Sequence, residues 1–242
     1  MLIACWSAKG GAGSTVVSAS LALRLSDQRD VLVADLAGDI PAVLGAPEPD
    51  SAGLLGWLQA NAAHAALERI EDEIRPGLSV LPRGQGDLTG PRHGGDQLAA
   101  ALLRDGRHVV ADCGVLRAAE PTAATALADA AEHSWLVIRP DYLSLRHATR
   151  APIRPTAAVV VQQPGRSLGR GDVERVLEVP VIAIVDDDPA AARAVDAGLL
   201  SGRLPRCLER GMRSAGASIG LDAAPRVGGP AAGRISPPEA SL

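Results

Sequence analysis

Residues 2–25, LIACWSAKGGAGSTVVSASLALRL, set an apolar strand, a glycine-rich turn and a helix-forming run directly after one another. This order constrains the fold more than any other stretch of the chain. A strand feeding a helix through a glycine turn begins a strand–helix–strand unit, and such units build parallel sheets with helices on both faces. The turn also carries chemistry. Gly10, Gly11 and Gly13 allow successive backbone N–H groups to wrap an anion, and the helix N-terminus favours negative charge. Strand before and helix after is the context that supports a phosphate-binding loop. Thr15 stands where a hydroxyl would bind Mg²⁺. Where such a loop carries its lysine, this chain has Ser14. Its single lysine, against 23 arginines, is Lys9 in the same turn. A compact ammonium on a flexible stem suits a phosphate contact, for which guanidinium is no equivalent. The alternative is chance placement.

The rest of the chain repeats the alternation. Short apolar runs at 2–8, 30–35, 78–84, 108–114, 134–140, 157–163 and 180–188 read as strands buried on both faces. Between them, 14–26, 54–72, 96–105, 118–131, 141–150, 171–177, 189–198 and 203–213 read as helices. The expectation is an α/β fold, a doubly wound and mostly parallel sheet of about seven strands. No repeat of fixed period is visible. From about Gly216 the texture turns to Gly, Pro, Ala and Ser with no apolar period, so the chain divides into a domain over 1–215 and a disordered tail over 216–242.

Composition narrows the function classes. Hydrophobic residues make up 47% and charged residues 21%, as in a globular domain. The net charge of -4 gives no global signal for a nucleic-acid partner. Cys5, Cys113 and Cys207 are far apart and form no CxxC pair, which argues against zinc spacings and fits a reducing cytoplasm. Met1 runs into LIACW with no basic segment, so no signal peptide is expected. No apolar run approaches the roughly 18 residues of a membrane span. With no Phe, the core should be built of Ala, Val, Leu and Ile.

AKGGAGST resembles the deviant Walker A motif of the ParA/MinD family, K-G-G-x-G-K-[ST]. Lys9 matches the signature lysine, which in that family reaches the partner subunit's phosphates in a nucleotide-sandwich dimer. Ser14 falls on the ordinary P-loop lysine. Other segments are similar over residues 1–200. In VLVADLAGDIPAVLG, Asp35 matches the first acid of switch I, and Ala37 falls on the acid that positions the attacking water. HVVADCG resembles Walker B and switch II, with Asp112 as the Mg²⁺-linked acid and Gly114 as the γ-phosphate sensor. VIRPDYLSLRHA resembles the CpaE/TadZ-like pilus-positioning and septum-site branches. VVVQQ stands where the family has an adenine-contacting Asn, so Gln162 or Gln163 would substitute.

The resemblance implies a P-loop NTPase fold, with ATP and Mg²⁺ as cofactors. It implies a nucleotide site over Lys9, Gly10, Gly11, Ala12, Gly13, Ser14, Thr15, Val16, Asp112, Gly114 and Gln162, and a metal held through Thr15 and Asp112. Lys9, Asp35 and Asp39 form the candidate catalytic set, Asp39 lying two residues past Ala37. Losing one charge-assisted phosphate contact, about 1.5–3 kcal/mol, weakens binding roughly ten- to a hundred-fold. Losing the water-positioning acid removes most of what a protein contributes to phosphoryl transfer. The expected protein is a cytoplasmic homodimer with a degenerate ATP site, recruited to membrane-associated pilus, secretion or division machinery. The rivals are a working ATPase using Lys9 and Asp39, and a scaffold indifferent to nucleotide.

Two further segments have plain alternatives. Asp186–Asp188 lacks the spacing of a Ca²⁺ loop and reads as a strand end with a helix cap before Pro189. RLPRCLERGMR, 203–213, puts Leu204, Cys207, Leu208 and Met212 on one helical face with arginines around it. That face would rest on anionic lipid, on a partner or on the sheet. Packing on the sheet is favoured, because the segment is short and has no Trp or Phe anchor. The five histidines form no ligand pair.

Overall fold

The computed structural model describes residues 1–60, 62–85, 93–119 and 122–221. Its strands are β1 (Leu2–Ser7), β2 (Val31–Asp35), β3 (Asp72–Arg75), β4 (Leu78–Leu81), β5 (His108–Val115), β6 (His133–Ile138), β7 (Ala157–Gln162) and β8 (Val181–Asp186). They form one sheet in the order β3-β4-β2-β5-β1-β6-β7-β8. Every pairing is parallel except β3 with β4. The helices are α1 (Ser14–Ser26), α2 (Ile40–Leu44), α3 (Gly53–Ala60), α4 (His93–Leu103), α5 (Ala123–Ala130), α6 (Tyr142–Ala148), α7 (Arg170–Leu177), α8 (Pro189–Asp196) and α9 (Arg206–Ser218).

Strand alternation divides the core into two layers, because successive side chains leave a strand on opposite faces. Leu2, Ala4 and Trp6 of β1 pack with Leu54, Leu98, Leu127 and Leu145, from α3 to α6. Ile3 and Cys5 pack with Leu21, Ile40, Leu208 and Met212, from α1, α2 and α9. The doubly wound α/β arrangement is thus as expected. The core composition is not. Trp6 and Trp135 are among its largest fully buried side chains, and Trp57 is 6% exposed. Trp6 is tolerated because its Nε1 donates to Ser134 Oγ at 3.0 Å.

Several boundaries differ from the sequence reading. The eighth strand, β3, was not expected. Its sequence DEIR has no apolar run, and it pairs only as an edge, where charge protects against stray pairing. The helix expected over 54–72 stops at Ala60, and His64–Ile70 is a 3-10 segment. Ala63 between them is extended at φ −64° and ψ 155°, which breaks the run. α2 was missed because it is a single short turn, closed by Gly45 at φ 71°. The domain end set at 215 falls too early. α9 continues to Ser218, Gly216 is buried, and Leu221 packs against the α1 side of the core. Residues 222–242 of the expected tail lie outside the described residues.

α9 settles where its apolar stripe goes. Cys207, Leu208, Met212 and Ala215 are buried, while Arg210 pairs with Asp186 and Arg213 with Glu209 at the surface. Gly211 lies so close to β8 that a Cβ there would stand 2.6 Å from Val185 Cγ2. No helix among the described residues is long and apolar enough to cross a membrane. Met212→Ala should cost about 2–5 kcal/mol by opening a cavity. Arg213→Ala should stay within about 0.5 kcal/mol. Urea unfolding of both variants checks this, and equal effects would contradict the packing of α9.

Candidate nucleotide site

The site stands at the carboxyl ends of β1, β2 and β5, where open α/β sheets place their crevices. β1 lies between β5 and β6, with Cys5 opposite Asp112 and opposite Trp135. This register carries the glycine loop up beside Asp112. Gly11 at φ 77° and Gly13 at φ 94° adopt the left-handed backbone that the turn requires. Gly10 has open space where a Cβ would stand. Gly13, at the N-cap of α1, offers no side-chain cap to the first N–H groups of that helix.

A cavity of about 490 Å³ opens over the loop, lined by Gly11, Gly13, Ser14, Thr15 and Val16, by Leu36, Ala37 and Asp39, by Cys113, Gly114 and Val115, and by Ser7, Arg83, Thr122 and Ala124. Ala12 lies beneath, 7% exposed. Ala37 faces Gly114, at φ 62°, where an added Cβ would come within 3.3 Å of the alanine's own. A larger cavity of about 640 Å³ lies between α2 and β3, lined by Pro41, Leu44, Ile74 and four carboxylates, Glu48, Asp50, Asp72 and Glu73. Its lining includes no part of the glycine loop and its charge repels phosphate, so the smaller cavity is the candidate.

Two buried carboxyls sit behind the smaller cavity, each at 0% exposure. Asp35 accepts from Gly38 N at 2.6 Å and Ile40 N at 3.1 Å. Both its oxygens thus shape the loop after β2. Like Asp112, Asp35 is absent from the lining of the glycine-loop cavity, and it lines a neighbouring cavity with Gly38 and Pro41. Asp112 Oδ1 accepts from Gly114 N at 3.2 Å, and Oδ2 is buried without a hydrogen-bond partner. Burial pushes Asp112 up to about 7, with Thr15 opposing and the Asp35 charge adding. Burial likewise raises Asp35 to about 6, against the N–H groups of Gly38 and Ile40. An orphaned buried carboxylate oxygen next to a threonine hydroxyl fits a hydrated cation. Among the described residues no group of three or more His, Cys, Asp or Glu side chains could hold a metal. A hard ion such as Mg²⁺ would take its other ligands from water and phosphate.

Lys9 and Gln162 fall outside the cavity lining. Lys9 Nζ lies 3.7 Å from Asp141 Oδ2. Asp141 also caps α6, accepting from Ser144 N and Oγ at 2.8 Å each. Gln162 ends β7 one residue beyond Val161, whose Cγ2 is 3.9 Å from where a Gly13 Cβ would be. Its amide donates to Gln163 O and Leu168 O at 3.4 Å, while Gln163 donates to Asp187 at 3.0 Å. Asp188 caps α8 by accepting from Ala190 N at 2.7 Å, as the strand-end reading expected. Asp39 reaches the cavity from the loop after β2. Sequence reasoning missed Arg83 and Asp141. The only signal for Arg83 was its place in LPRG, just past a strand of a parallel sheet.

No protein-family model matches this sequence, and no curated protein is significantly similar to it. Solved structures are. The cell division ATPase MinD of Pyrococcus furiosus is 25% identical at a TM-score of 0.72, over 91% of this chain and 99% of that one. A ParA family ATPase from Chlorobium tepidum is 17% identical at 0.70, over 90% and 97%. An ATP complex of a McdA variant from Cyanothece is 17% identical at 0.71, over 92% and 97%. The chain has the fold of the ParA/MinD P-loop NTPases.

The two raised carboxyls make a stability prediction. Both hold a proton more tightly folded than unfolded. Their burial therefore penalises the fold fully above about 7, and the penalty is relieved as pH falls toward the ordinary carboxylate range. The metal-free protein should melt higher at pH 5 than at pH 8. Asp112→Asn should raise the melting temperature at pH 8 and flatten this dependence. An unchanged slope in that variant would remove Asp112 as its source.

Proposed function

We propose that this chain is a ParA/MinD-like positioning protein whose ATP site retains its cradle and has lost most of its catalytic power. One juxtaposition carries the reading: the Thr15 hydroxyl stands beside the buried Asp112 carboxyl at the start of α1, while Ser14 and Ala37 stand where the resemblance expects charges. Backbone N–H groups of the loop and of α1 would hold the phosphates. Thr15 and Asp112 would hold Mg²⁺, which neutralises phosphate charge when bound. Gln162 is assigned to the base, on its position at the end of β7 beside Gly13. Ala37 has no group to orient water, so hydrolysis suffers more than binding.

Lys9 acts between subunits in this reading. Within one chain it is held by Asp141 and stands 42% exposed at the shoulder of the loop. A second subunit brings phosphate to it in a drier interface, where charge contacts strengthen. The motif VIRPDYLSLRHA, which supplies Asp141, supports a target in membrane-associated pilus, secretion or division machinery, and a cytoplasmic protein recruited to it. A second reading, a slow but working ATPase, draws on Asp39, a carboxylate at the cavity wall.

Purified protein should release phosphate barely above background. Ser14→Lys should tighten ATP binding, and Ala37→Asp should be needed as well before turnover appears. Robust turnover lost in Asp39→Asn would favour the second reading. ATP with Mg²⁺ should promote a dimer seen by sedimentation, and Lys9→Ala should abolish it. Identical sedimentation of both proteins with and without ATP would leave a scaffold indifferent to nucleotide.

A further inference from the structure

We propose that the larger cavity, between α2 and β3, is a docking groove for an extended basic segment of another protein, one in which arginine or lysine alternates with an apolar residue. The groove shares no lining residue with the glycine-loop cavity, so this inference does not rest on the nucleotide reading. Its volume of about 640 Å³ is that of a ligand cleft, roughly 300–1,000 Å³. One side is the loop after α2, with Pro47 and Pro49, and the other is β3. Leu44 and Ile74 give it an apolar lining. Glu48 and Asp50 stand on the loop side, Asp72 and Glu73 on the strand side. Among the described residues none of these four takes part in a side-chain hydrogen bond or an ion pair. Their charged neighbours do. Glu71 is held by Arg107 at 2.9 Å, and Arg75 Nη2 donates to Leu23 O, Ser26 Oγ and Asp27 Oδ1. The cation on β3 is thus committed to the end of α1, and the four carboxylates stay uncompensated.

The spread of these charges selects the occupant. Among the described residues no three acidic, His or Cys side chains converge closely enough to hold a metal ion, so the acids suit separated cations and not one ion. β3 is the last strand in the sheet order, and its outer edge pairs with no strand. Such an edge takes one more extended segment, main-chain hydrogen bonds giving affinity and alternate side chains specificity. Apolar side chains at every second position would rest on Leu44 and Ile74. The long basic ones between them would reach the carboxylates at either rim with their stems along the apolar lining. A second copy of β3 is disfavoured, because it would set Asp72 and Glu73 against like charges. Residues 222–242 are disfavoured too, since their two arginines are balanced by two acids. Charge on an edge strand guards it against stray pairing, and here it leaves the edge open to a segment of opposite sign.

The test is fluorescence anisotropy of a labelled peptide, Arg-Val-Arg-Val-Arg-Val with blocked ends, titrated with the full chain in the absence of nucleotide. Binding should saturate and should weaken as NaCl rises from about 50 to about 500 mM, because exposed charges are screened. Asp72→Asn/Glu73→Gln and Glu48→Gln/Asp50→Asn, all at exposed positions, should each weaken it about two- to thirty-fold, as expected for two exposed ion pairs. Of two peptides N-methylated at alternate residues, the one whose blocked N–H groups face β3 should lose binding and the other should keep it. Spermidine, which has spaced charges but no strand backbone, should compete poorly. Absence of saturable binding, unchanged affinity in either double variant, equal binding of the two N-methylated peptides or displacement by spermidine at similar affinity each overturns the proposal. Self-association of the wild type that Asp72→Asn/Glu73→Gln alters would assign the groove to a second copy and overturn it as well.

Discussion

The backbone hydrogen bonds that pair β1 with β5 decide where the glycine loop can stand. With Cys5 opposite Asp112, the chain leaving β1 turns within reach of the carboxyl at the end of β5. Parallel pairing brings both strand ends to the same edge of the sheet, and right-handed crossovers stack the intervening helices above and below. A slip of one residue would turn Asp112 to the other face and leave Thr15 beside an apolar side chain. The two core layers resist that slip, since every apolar residue of the strand that slips would exchange layers with it.

The same burial that fixes the register charges the site with tension. Asp35 and Asp112 are held where water cannot solvate them, and their protons bind more tightly as a result. Asp35 turns its oxygens into the backbone of the next loop and becomes a strut. Asp112 keeps one oxygen without a partner. That difference separates a carboxylate that shapes the wall from one still able to receive a ligand. The positive charges are distributed outside this pair: Lys9 rests on the cap of α6, and Arg83 leans over the loop after β2. Ser14 and Ala37, where the family resemblance expects charges, both line a cavity in which Arg83, from the loop after β4, is the cationic lining residue among those described.

Some elements were legible from residues alone and some were not. α1 was read to its ends because glycines, apolar period and the following polar turn all agree. β1, β2 and β5–β8 announce themselves as unbroken apolar runs, as strands covered on both faces must. β3 did not, since an edge strand needs no apolar face and DEIR has almost none. Nor did the stop of α3, set by an extended Ala63 in an alanine-rich run that favours helix throughout. The end of the domain was placed early because α9 closes on Gly, Ala and Ser, a composition that reads as linker. Gly211 earlier in the helix lies close against Val185 of β8, and Ala215 and Gly216 are buried.

By itself the sequence determined the alternation of layers, the glycine cradle and the neutral residues, Ser14 and Ala37, beside it. All three follow from local rules: side-chain period, the steric freedom of glycine, and residue identity at a fixed offset from a motif. Only the tertiary structure decided which charges remain near the cradle. Lys9 and Asp141 are separated by more than a hundred positions, and Ser14 and Arg83 by nearly seventy. Their proximity is set by strand order, by the close contact of Gly84 with Ala52 and by the cap of α6. None of these leaves a local signature, because each is a distance between elements and not a property of any one of them.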